Sequence, residues 1–307
     1  MEKISGRAPG ARQGQRIVLF ARDGVMWWVQ PMSNQPFTPI DSDFTWQGAT
    51  HLGTEYAALL VEEGYAPPSI TDTLPGQGGK ILAIAKTAGQ PSGAPAPKTI
   101  RFSGYEWEVV ETPTDSGGVL HNNSASNVWT DDKGRLHLRI QRQGEDWTCA
   151  EVLMTRSLGY GVYSFVFDEL PPLESASVLG LFTWDPREAG QNHREINVEL
   201  SRWGDPQTKN AQFVVQPYYV PANVFRFESP SGRVAHSFHW EPGRVAFRSG
   251  FRTSLTPIAN IAEHVFTSGV PTPGGERVHI NLYIFGRTRT PQQKPVEVVI
   301  EKFEYLP

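Results

Sequence analysis

Short runs of β-branched and aromatic residues recur at regular spacing through the last two thirds of the chain. Turn-forming pairs separate these runs, among them Pro171-Pro172, Pro242-Gly243 and Gly274-Gly275. About eleven runs of strand length between such turns are typical of an all-β sandwich or jelly roll. The spacing therefore predicts one β-sandwich domain over residues 99–307, in which only IANIAEHVF, residues 258–266, has a helical pattern.

The first 90 residues predict a small β-rich accessory domain of unknown function, and an SH3-like barrel is one architecture that fits. QRIVLFAR and VMWWVQPM read as strands around the turn Asp23-Gly24, and KILAIAKT reads as another strand. GTEYAALLVEEGY, residues 53–65, is rich in Ala, Leu and Glu, which predicts a short helix. Trp27, Trp28 and Trp46 could stack on sugar rings, although core packing in a small domain explains them better.

Residues 91–98 form a Pro-, Gly- and Ala-rich stretch between the two parts of the chain. The stretch has no hydrophobic periodicity, which indicates a linker. The sequence therefore predicts a two-domain protein with boundaries at residues 1–90 and 99–307.

Charge and residue usage exclude several classes of function. The net charge of −4 argues against nucleic-acid binding, and no apolar run has the ~20 residues of a membrane span. The single cysteine, Cys149, forms no intrachain disulfide and excludes a Cys-based zinc site. Eight scattered histidines without an H-E-x-x-H motif argue against a catalytic metal. We expect no required cofactor, and a structural calcium ion in the loops stays open without a defined site.

The start of the chain, MEKISGRAPGARQGQ, has basic residues without an apolar stretch after them. This pattern does not match an intact signal peptide. The compartment is therefore extracellular or periplasmic if a leader has been removed, and cytoplasmic otherwise. The oligomeric state is not defined by the sequence.

The segment HREINVELSRWGD, residues 193–205, is the candidate for chemistry. Read as a strand, it places Glu195, Asn197 and Glu199 on one face and apolar residues on the other. Alternation of this kind also occurs in any half-exposed strand. Two Cα atoms four residues apart on a strand lie about 13 Å from each other, whereas a retaining glycosidase needs carboxyl groups about 5–5.5 Å apart. A catalytic role thus requires a strand on the concave face of a bent sheet.

The order of motifs over residues 102–307 resembles glycoside hydrolase family 16, in the concanavalin A-like superfamily. REINVELSRWG is similar to the family's E-[I/L]-D-x-E motif, and SVLGLFTWDP is similar to the strand that ends in a cleft tryptophan. The other segments that carry the resemblance are NVWTDDKGRLHLRI, CAEVLMTRSLGYGVYSFVFDELPP, RVAHSFHWEPGRVAFRSG, HINLYIFG and VEVVIEKFEYLP. The family's usual late-strand tryptophan is missing, because Leu282 and Tyr283 stand in that strand.

The resemblance implies a retaining, endo-acting hydrolase of a β-linked polysaccharide of the β-glucan or galactan type. It implies that Glu195 is the nucleophile and Glu199 the general acid/base. Asn197 stands where the family has Asp, so a negative charge and a protonatable group are lost while hydrogen bonding is kept. A non-catalytic carbohydrate-binding protein on the same fold therefore remains an alternative, as does a scaffold whose first domain binds a protein partner.

Five further residues are candidates for contact with a polysaccharide or oligosaccharide. Trp184, which matches the family's cleft tryptophan, and Trp203, which follows the candidate strand, could stack on sugar rings. His193 is two residues before Glu195 and so falls on the same face, where a general-acid role is open, although a surface hydrogen bond explains it better. Gln212 and Gln216 on the next strand could bind hydroxyl groups, although solvent exposure explains them equally well.

Overall fold

The computed structural model describes the chain apart from residues 1, 24–25, 32–34, 52, 90–97, 112–113, 117–118, 145, 252–258 and 287–289. It divides into two compact units, Met1–Ala96 and Pro97–Pro307. The predicted linker, residues 91–98, lies outside the described residues except for its last one, and so does Gly24 of the predicted turn. No helix within the described parts is long and apolar enough to cross a membrane.

The first unit consists of β-strands. They are β1 (Glu2–Arg7), β2 (Arg16–Asp23), β3 (Met26–Gln30), β4 (Phe37–Thr38), β5 (Thr45–Thr50), β6 (Glu55–Val61), β7 (Ile70–Thr71) and β8 (Ile81–Ala88). One sheet has the order β7-β3-β2-β6-β8, with β4 also paired to β2, and β1 pairs with β5. Both faces of β2 are buried, because Val18 and Phe20 pack in one apolar cluster with Trp27, while Leu19 packs in another with Trp46. Core packing thus accounts for two of the three tryptophans, whereas Trp28 is 37% exposed.

Both helices predicted from the sequence are wrong. Residues 53–65 contain strand β6, which pairs with β2 on one side and β8 on the other. Residues 258–266 contain strand β24, Ala259–Phe266, which pairs with β23, Arg244–Phe251. Ala, Leu and Glu favour helix only weakly, and hydrogen bonding to neighbouring strands overrides that preference.

The described residues of the second unit also form mainly strands, with short 3-10 helices at Ala125–Asn127, Ala189–Arg194 and Pro221–Asn223. Its strands are β9 (Thr99–Phe102), β10 (Tyr105–Val109), β11 (Thr114–Ser116), β12 (Val119–His121), β13 (Val128–Thr130), β14 (Leu136–Gln143), β15 (Asp146–Thr148), β16 (Ala150–Met154), β17 (Gly161–Leu170), β18 (Ser177–Trp184), β19 (Ile196–Leu200), β20 (Ala211–Val215), β21 (Val224–Phe227), β22 (Gly232–Glu241), β23, β24, β25 (Arg277–Ile284), β26 (Val296–Ile300) and β27 (Lys302–Leu306).

Two large antiparallel sheets define the architecture of this unit. One has the order β21-β20-β19-β18-β25-β16-β10-β9, and the other has the order β24-β23-β22-β17-β27. Their facing apolar residues form one core, in which Trp107, Tyr163 and Phe238 are fully buried. The predicted fold class is confirmed as an all-β sandwich of antiparallel sheets with a small β-rich domain before it.

Strand β19 lies between β18 and β20 in the eight-stranded sheet. Its residues Ile196, Val198 and Leu200 belong to the core. Because side chains alternate along a strand, Asn197 and Glu199 lie on the opposite face. We call this side of the eight-stranded sheet the polar face; it also carries Gln212, His279 and Asn281, each in register with β19 or its neighbours.

A histidine buried in the β22–β23 pair predicts a loss of stability in mild acid. The Nδ1 atom of His236 lies 2.7 Å from Ser249 Oγ, and burial lowers the pKa of His236 from 6.5 to about 3. As pH falls below 6.5, the unfolded chain gains a proton that the folded chain does not take up until about pH 3. We expect the free energy of unfolding to fall by about 2 kcal/mol from this group between pH 7 and pH 5.

Urea unfolding at pH 7 and pH 5 measures this loss. The unfolding free energy of the His236→Gln variant should fall by about 2 kcal/mol less than that of the natural chain. His239→Gln is the matched control, because its imidazole on the same strand is 45% exposed. Equal pH dependence in all three proteins would show that His236 is not held neutral.

Candidate active site

A tight turn sets where strand β19 begins. Asn192, His193 and Arg194 all have left-handed backbone angles, with φ of 50°, 58° and 54°. Arg194 stabilises this turn through Asp185 Oδ2 and Glu188 Oε2, both at 3.1 Å, and it also donates to the carbonyl oxygen of Thr272. Such angles are costly for residues other than glycine, so these contacts stabilise the turn. The strand therefore starts at Ile196, with Glu195 directly before it.

The turn changes the position expected for His193. Strand alternation does not extend to this residue, so its predicted placement on the face of Glu195 by that pattern is wrong. Its ring stacks on Trp184 instead, with ring centroids 4.1 Å apart and an interplanar angle of 18°. The Nδ1 atom of His193 lies 3.0 Å from the carbonyl oxygen of Asp185. One face of the half-buried Trp184 is therefore covered by a histidine of the same chain.

Two amides contact the carboxyl group of Glu195. Asn197 Nδ2 donates to Glu195 Oε1 at 2.6 Å, and the side chain of Gln216 also hydrogen-bonds Glu195. Gln216 Oε1 accepts the backbone N–H of Tyr218 at 2.6 Å. The contact with Gln216 lowers the pKa of Glu195, so the amide nitrogen of Gln216 is the atom that donates to the carboxyl group.

The carboxyl group of Glu199 lies at the end of a chain of contacts from the sheet edge. Gln212 Nε2 donates to Glu199 Oε2 at 2.5 Å, and Arg226 Nε donates to Gln212 Oε1 at 3.2 Å. The guanidinium carbon of Arg226 lies 4.7 Å from the ring centroid of Trp203. Trp203 itself packs beside the small cluster of Cys149, Val178 and Tyr283. Gln212, Gln216 and Trp203 are thus all connected to the two glutamates.

Both glutamates have raised pKa values. Burial and then the charge of Glu199 raise the pKa of Glu195 from 4.5 to about 8, against the opposing effect of the two amides. Burial also raises the pKa of Glu199, while Gln212 and Arg226 act in the opposite direction. Two carboxyl groups that interact in this way titrate as a pair. The pair therefore retains one proton near neutral pH, which is the state that acid/base chemistry with two carboxyl groups requires.

The structure adds polar-face residues that sequence reasoning missed. His279 Nδ1 lies 2.8 Å from Glu151 Oε1, and the His279 ring stacks on Phe182 with centroids 5.0 Å apart. Asn281 leans over Gly180, where an added Cβ would lie 2.4 Å from Asn281 Oδ1. Alternation in HINLYIF marks His279 and Asn281 as neighbours on one face, but only the strand register brings them to Glu199.

Three buried polar atoms of this face have no hydrogen-bond partner within the described residues. They are Asn197 Oδ1, His279 Nε2 and Asn281 Oδ1. Buried polar groups without partners are rare in folded proteins and often mark places where water or a ligand binds. The polar face is therefore suited to a ligand rich in hydroxyl groups.

Tyr283 completes the polar face beside the glutamates. Its ring centroid lies 4.5 Å from that of His121, at the end of strand β12. Burial raises the pKa of Tyr283 well above 10, and the charges of Glu199 and Glu195 raise it further. The phenol is therefore a neutral hydrogen-bonding group next to the carboxyl pair. No set of three or more His, Cys, Asp or Glu side chains in the described ranges is arranged to hold a metal ion.

Comparison with known proteins yields matches in structure alone. No protein-family model matches this sequence, and no curated protein matches it. A Bacillus licheniformis β-glucanase is 14% identical, with 66% of this chain and 92% of that chain covered and a TM-score of 0.47. A β-1,3-1,4-glucanase (lichenase) derived from a mouse hindgut metagenome is 17% identical, with 65% and 92% covered and a TM-score of 0.48.

A Mycobacterium tuberculosis protein described as an immunostimulatory antigen and pseudo β-1,3-glucanase is a further match. It is 16% identical, with 64% of this chain and 88% of that chain covered and a TM-score of 0.46. Identities this low do not relate individual side chains, so the likeness concerns the fold alone.

The raised pKa of Glu195 predicts an effect on stability that does not require catalysis. The folded protein keeps this proton up to about pH 8, whereas the unfolded chain releases it near pH 4.5. Stability from this group therefore falls as pH rises between these values. Between pH 5 and pH 7 we expect the unfolding free energy of the natural chain to fall by about 2 kcal/mol more than that of the Glu195→Gln variant.

Chemical denaturation at both pH values provides the measurement. Glu169→Gln is the control, because Glu169 is exposed at the end of strand β17. If Glu195→Gln and the natural chain show the same pH dependence, Glu195 does not hold a proton in the folded state.

Proposed function

We propose that the second unit is a retaining glycoside hydrolase of the family 16 type. Its substrate would be a β-linked polysaccharide of the β-glucan or galactan type, cleaved internally. The observation that supports this most strongly is the pair of carboxyl groups directly before β19 and within it, close enough for the charge of Glu199 to raise the pKa of Glu195. A pair that shares one proton supplies both an ionised and a protonated carboxyl group near neutral pH.

In the proposed reaction, the Glu195 carboxylate attacks the anomeric carbon. The bond to the leaving oxygen breaks, and Glu199 gives its proton to that oxygen, which leaves a glycosyl ester on Glu195. Glu199, now ionised, takes a proton from a water molecule that attacks the same carbon. The ester bond breaks, Glu195 returns as a carboxylate, and Glu199 is protonated again.

Asn197 would orient the nucleophile in this scheme. Its amide nitrogen already donates to Glu195 Oε1 at 2.6 Å, so it fixes the direction of that carboxyl group. A neutral amide provides this contact without adding a third negative charge to the strand. The amides of Gln212 and Gln216 would act in the same way on the two carboxyl groups, in addition to any contact with sugar hydroxyls.

Sugar contacts are proposed for the remaining candidates. Trp184 with His193 stacked on it would form one wall beside Glu195, and Trp203 would lie beside Glu199. The two unpartnered oxygens of the polar face, Asn197 Oδ1 and Asn281 Oδ1, would accept hydrogen bonds from hydroxyl groups of the substrate.

A non-catalytic carbohydrate-binding protein is the second candidate function. Two observations favour it: Asn197 replaces the Asp of the family motif, and the contacts around Glu199 favour its ionised form rather than the protonated form of an acid. The polar face would then bind a polysaccharide without cleaving it.

Hydrolysis of a panel of β-glucans, galactans and agar separates the two candidates. We expect the natural chain to release reducing ends from at least one member, with a mixture of oligosaccharides as products. Glu195→Gln and Glu199→Gln should each lower kcat by at least about 100-fold, because each removes a group that takes part in bond making or proton transfer. Glu169→Gln serves as the exposed control.

Two outcomes would contradict the enzyme proposal. If no polysaccharide is cleaved while one binds to the natural chain and to Glu195→Gln alike, the protein is a binding protein. If only Asn197→Asp cleaves, the natural chain has lost catalysis at that position.

The pH dependence of the rate forms a separate prediction. Only the singly protonated carboxyl pair is active, so the rate should fall on both sides of an optimum. The alkaline limb should lie near pH 8, because the pair loses its last proton there. Initial rates measured from pH 4 to pH 10 provide the profile. A rate that stays constant up to pH 10 would show that no carboxyl proton is needed.

A further inference from the structure

Arg226 is the first residue of the contact chain that ends at Glu199. It lies on β21, the edge strand of the eight-stranded sheet, directly opposite Gln212 in the strand register. Its Nε donates to Gln212 Oε1, and Gln212 Nε2 donates to Glu199 Oε2. Arg226 forms no salt bridge with any carboxylate in the described part of the chain. Its guanidinium therefore contacts the Gln212 amide with a positive charge that no carboxylate of the described residues pairs with.

The chemistry of these three groups fixes the direction of the chain. A guanidinium group has only donors, so the atom of Gln212 that faces it must be the amide oxygen. The amide nitrogen then points at Glu199, and an N–H donor favours the ionised form of a carboxyl group. Without Arg226, the amide could turn over and present its oxygen, which pairs only with a protonated carboxyl group.

Trp203 holds the guanidinium in place for this role. The guanidinium carbon lies 4.7 Å from the ring centroid, within the range of a cation–π contact. Trp203 is itself held, because its backbone N–H donates to Ser201 Oγ at 2.8 Å and its side chain packs beside the cluster of Cys149, Val178 and Tyr283. An exposed arginine is thereby kept over Gln212 rather than moving freely in solvent.

Three charged or titratable groups face Glu199: Glu195 from directly before β19, Arg226 from β21 and Tyr283 from β25. Arg226 favours the ionised form of Glu199, whereas burial acts in the opposite direction. Arg226 is the cation of this set. Its charge therefore stabilises the ionised Glu199 directly, in addition to its effect on the amide.

We propose that Arg226 is a positioning residue for the carboxyl pair. Acting through Gln212, it holds Glu199 ionised and leaves the single shared proton on Glu195 when no ligand is bound. This distribution is the reverse of the one that starts the proposed hydrolysis. This consequence rests on the proposed function: Arg226 or Gln212 must move before Glu199 can deliver a proton. Arg226 therefore restrains the acid until substrate displaces it.

Carbon-13 NMR titration of glutamate carboxyl groups tests the proposal in the ligand-free protein. Glu195→Gln and Glu199→Gln assign the two signals. In Arg226→Met, we expect the midpoint of Glu199 to rise by about one pH unit, because a nearby cation and a fixed donor are both weakened. Arg248→Met is the matched control, since Arg248 pairs with Glu263 on β23 and β24. Arg226→Gln is a second variant with the same expected direction.

The route through Gln212 is tested in the Gln212→Met background. If the amide carries the effect, Arg226→Met should shift Glu199 less there than in the natural chain. An equal shift in both backgrounds would overturn the role of Gln212, and an unchanged midpoint of Glu199 in both Arg226 variants would overturn the proposal. These titrations use no substrate, so a failure of every hydrolysis assay would not affect them.

Discussion

The site depends on one constraint: the carboxyl groups of Glu195, directly before strand β19, and of Glu199, within it, are buried and close enough for their charges to interact. Two such groups cannot both be charged without a large cost, so one proton is kept and the neighbours decide where it lies. Asn197 and Gln216 contact one group, while Gln212 and Arg226 serve the other. The amides around the pair therefore distribute charge as well as offering contacts to a ligand. This arrangement costs stability, as functional sites commonly do.

Much of the architecture could be predicted from residue patterns alone. Alternation in residues 196–200 identifies which side chains face the core, and the regular turns identify the sandwich. The two segments predicted as helices became β6 and β24, because Ala and Glu are tolerated in a strand that has partners on its flanks or along one edge. Local preference does not contain information about such partners.

Some residues of the site can be predicted from the local sequence, whereas others come close only through the order of the strands. The two glutamates, Asn197 and the glutamines could be selected from one strand and its successor. Arg226, His279 and Tyr283 could not, because their proximity depends on the order β21-β20-β19-β18-β25. His193 was misplaced because three left-handed residues end the alternation just before Glu195. The roles of all these residues in chemistry remain predictions, since the matches to glucanase structures concern the fold alone.

Gly180 has a consequence for how this site can change over evolutionary time. It lies between Glu199 and Asn281 in the strand register, and a methyl group there would collide with the amide oxygen of Asn281. Substitutions at these two positions are therefore coupled: a larger residue at 180 requires the Asn281 amide to turn away or position 281 to become smaller. The two positions should covary although they lie about a hundred residues apart in sequence.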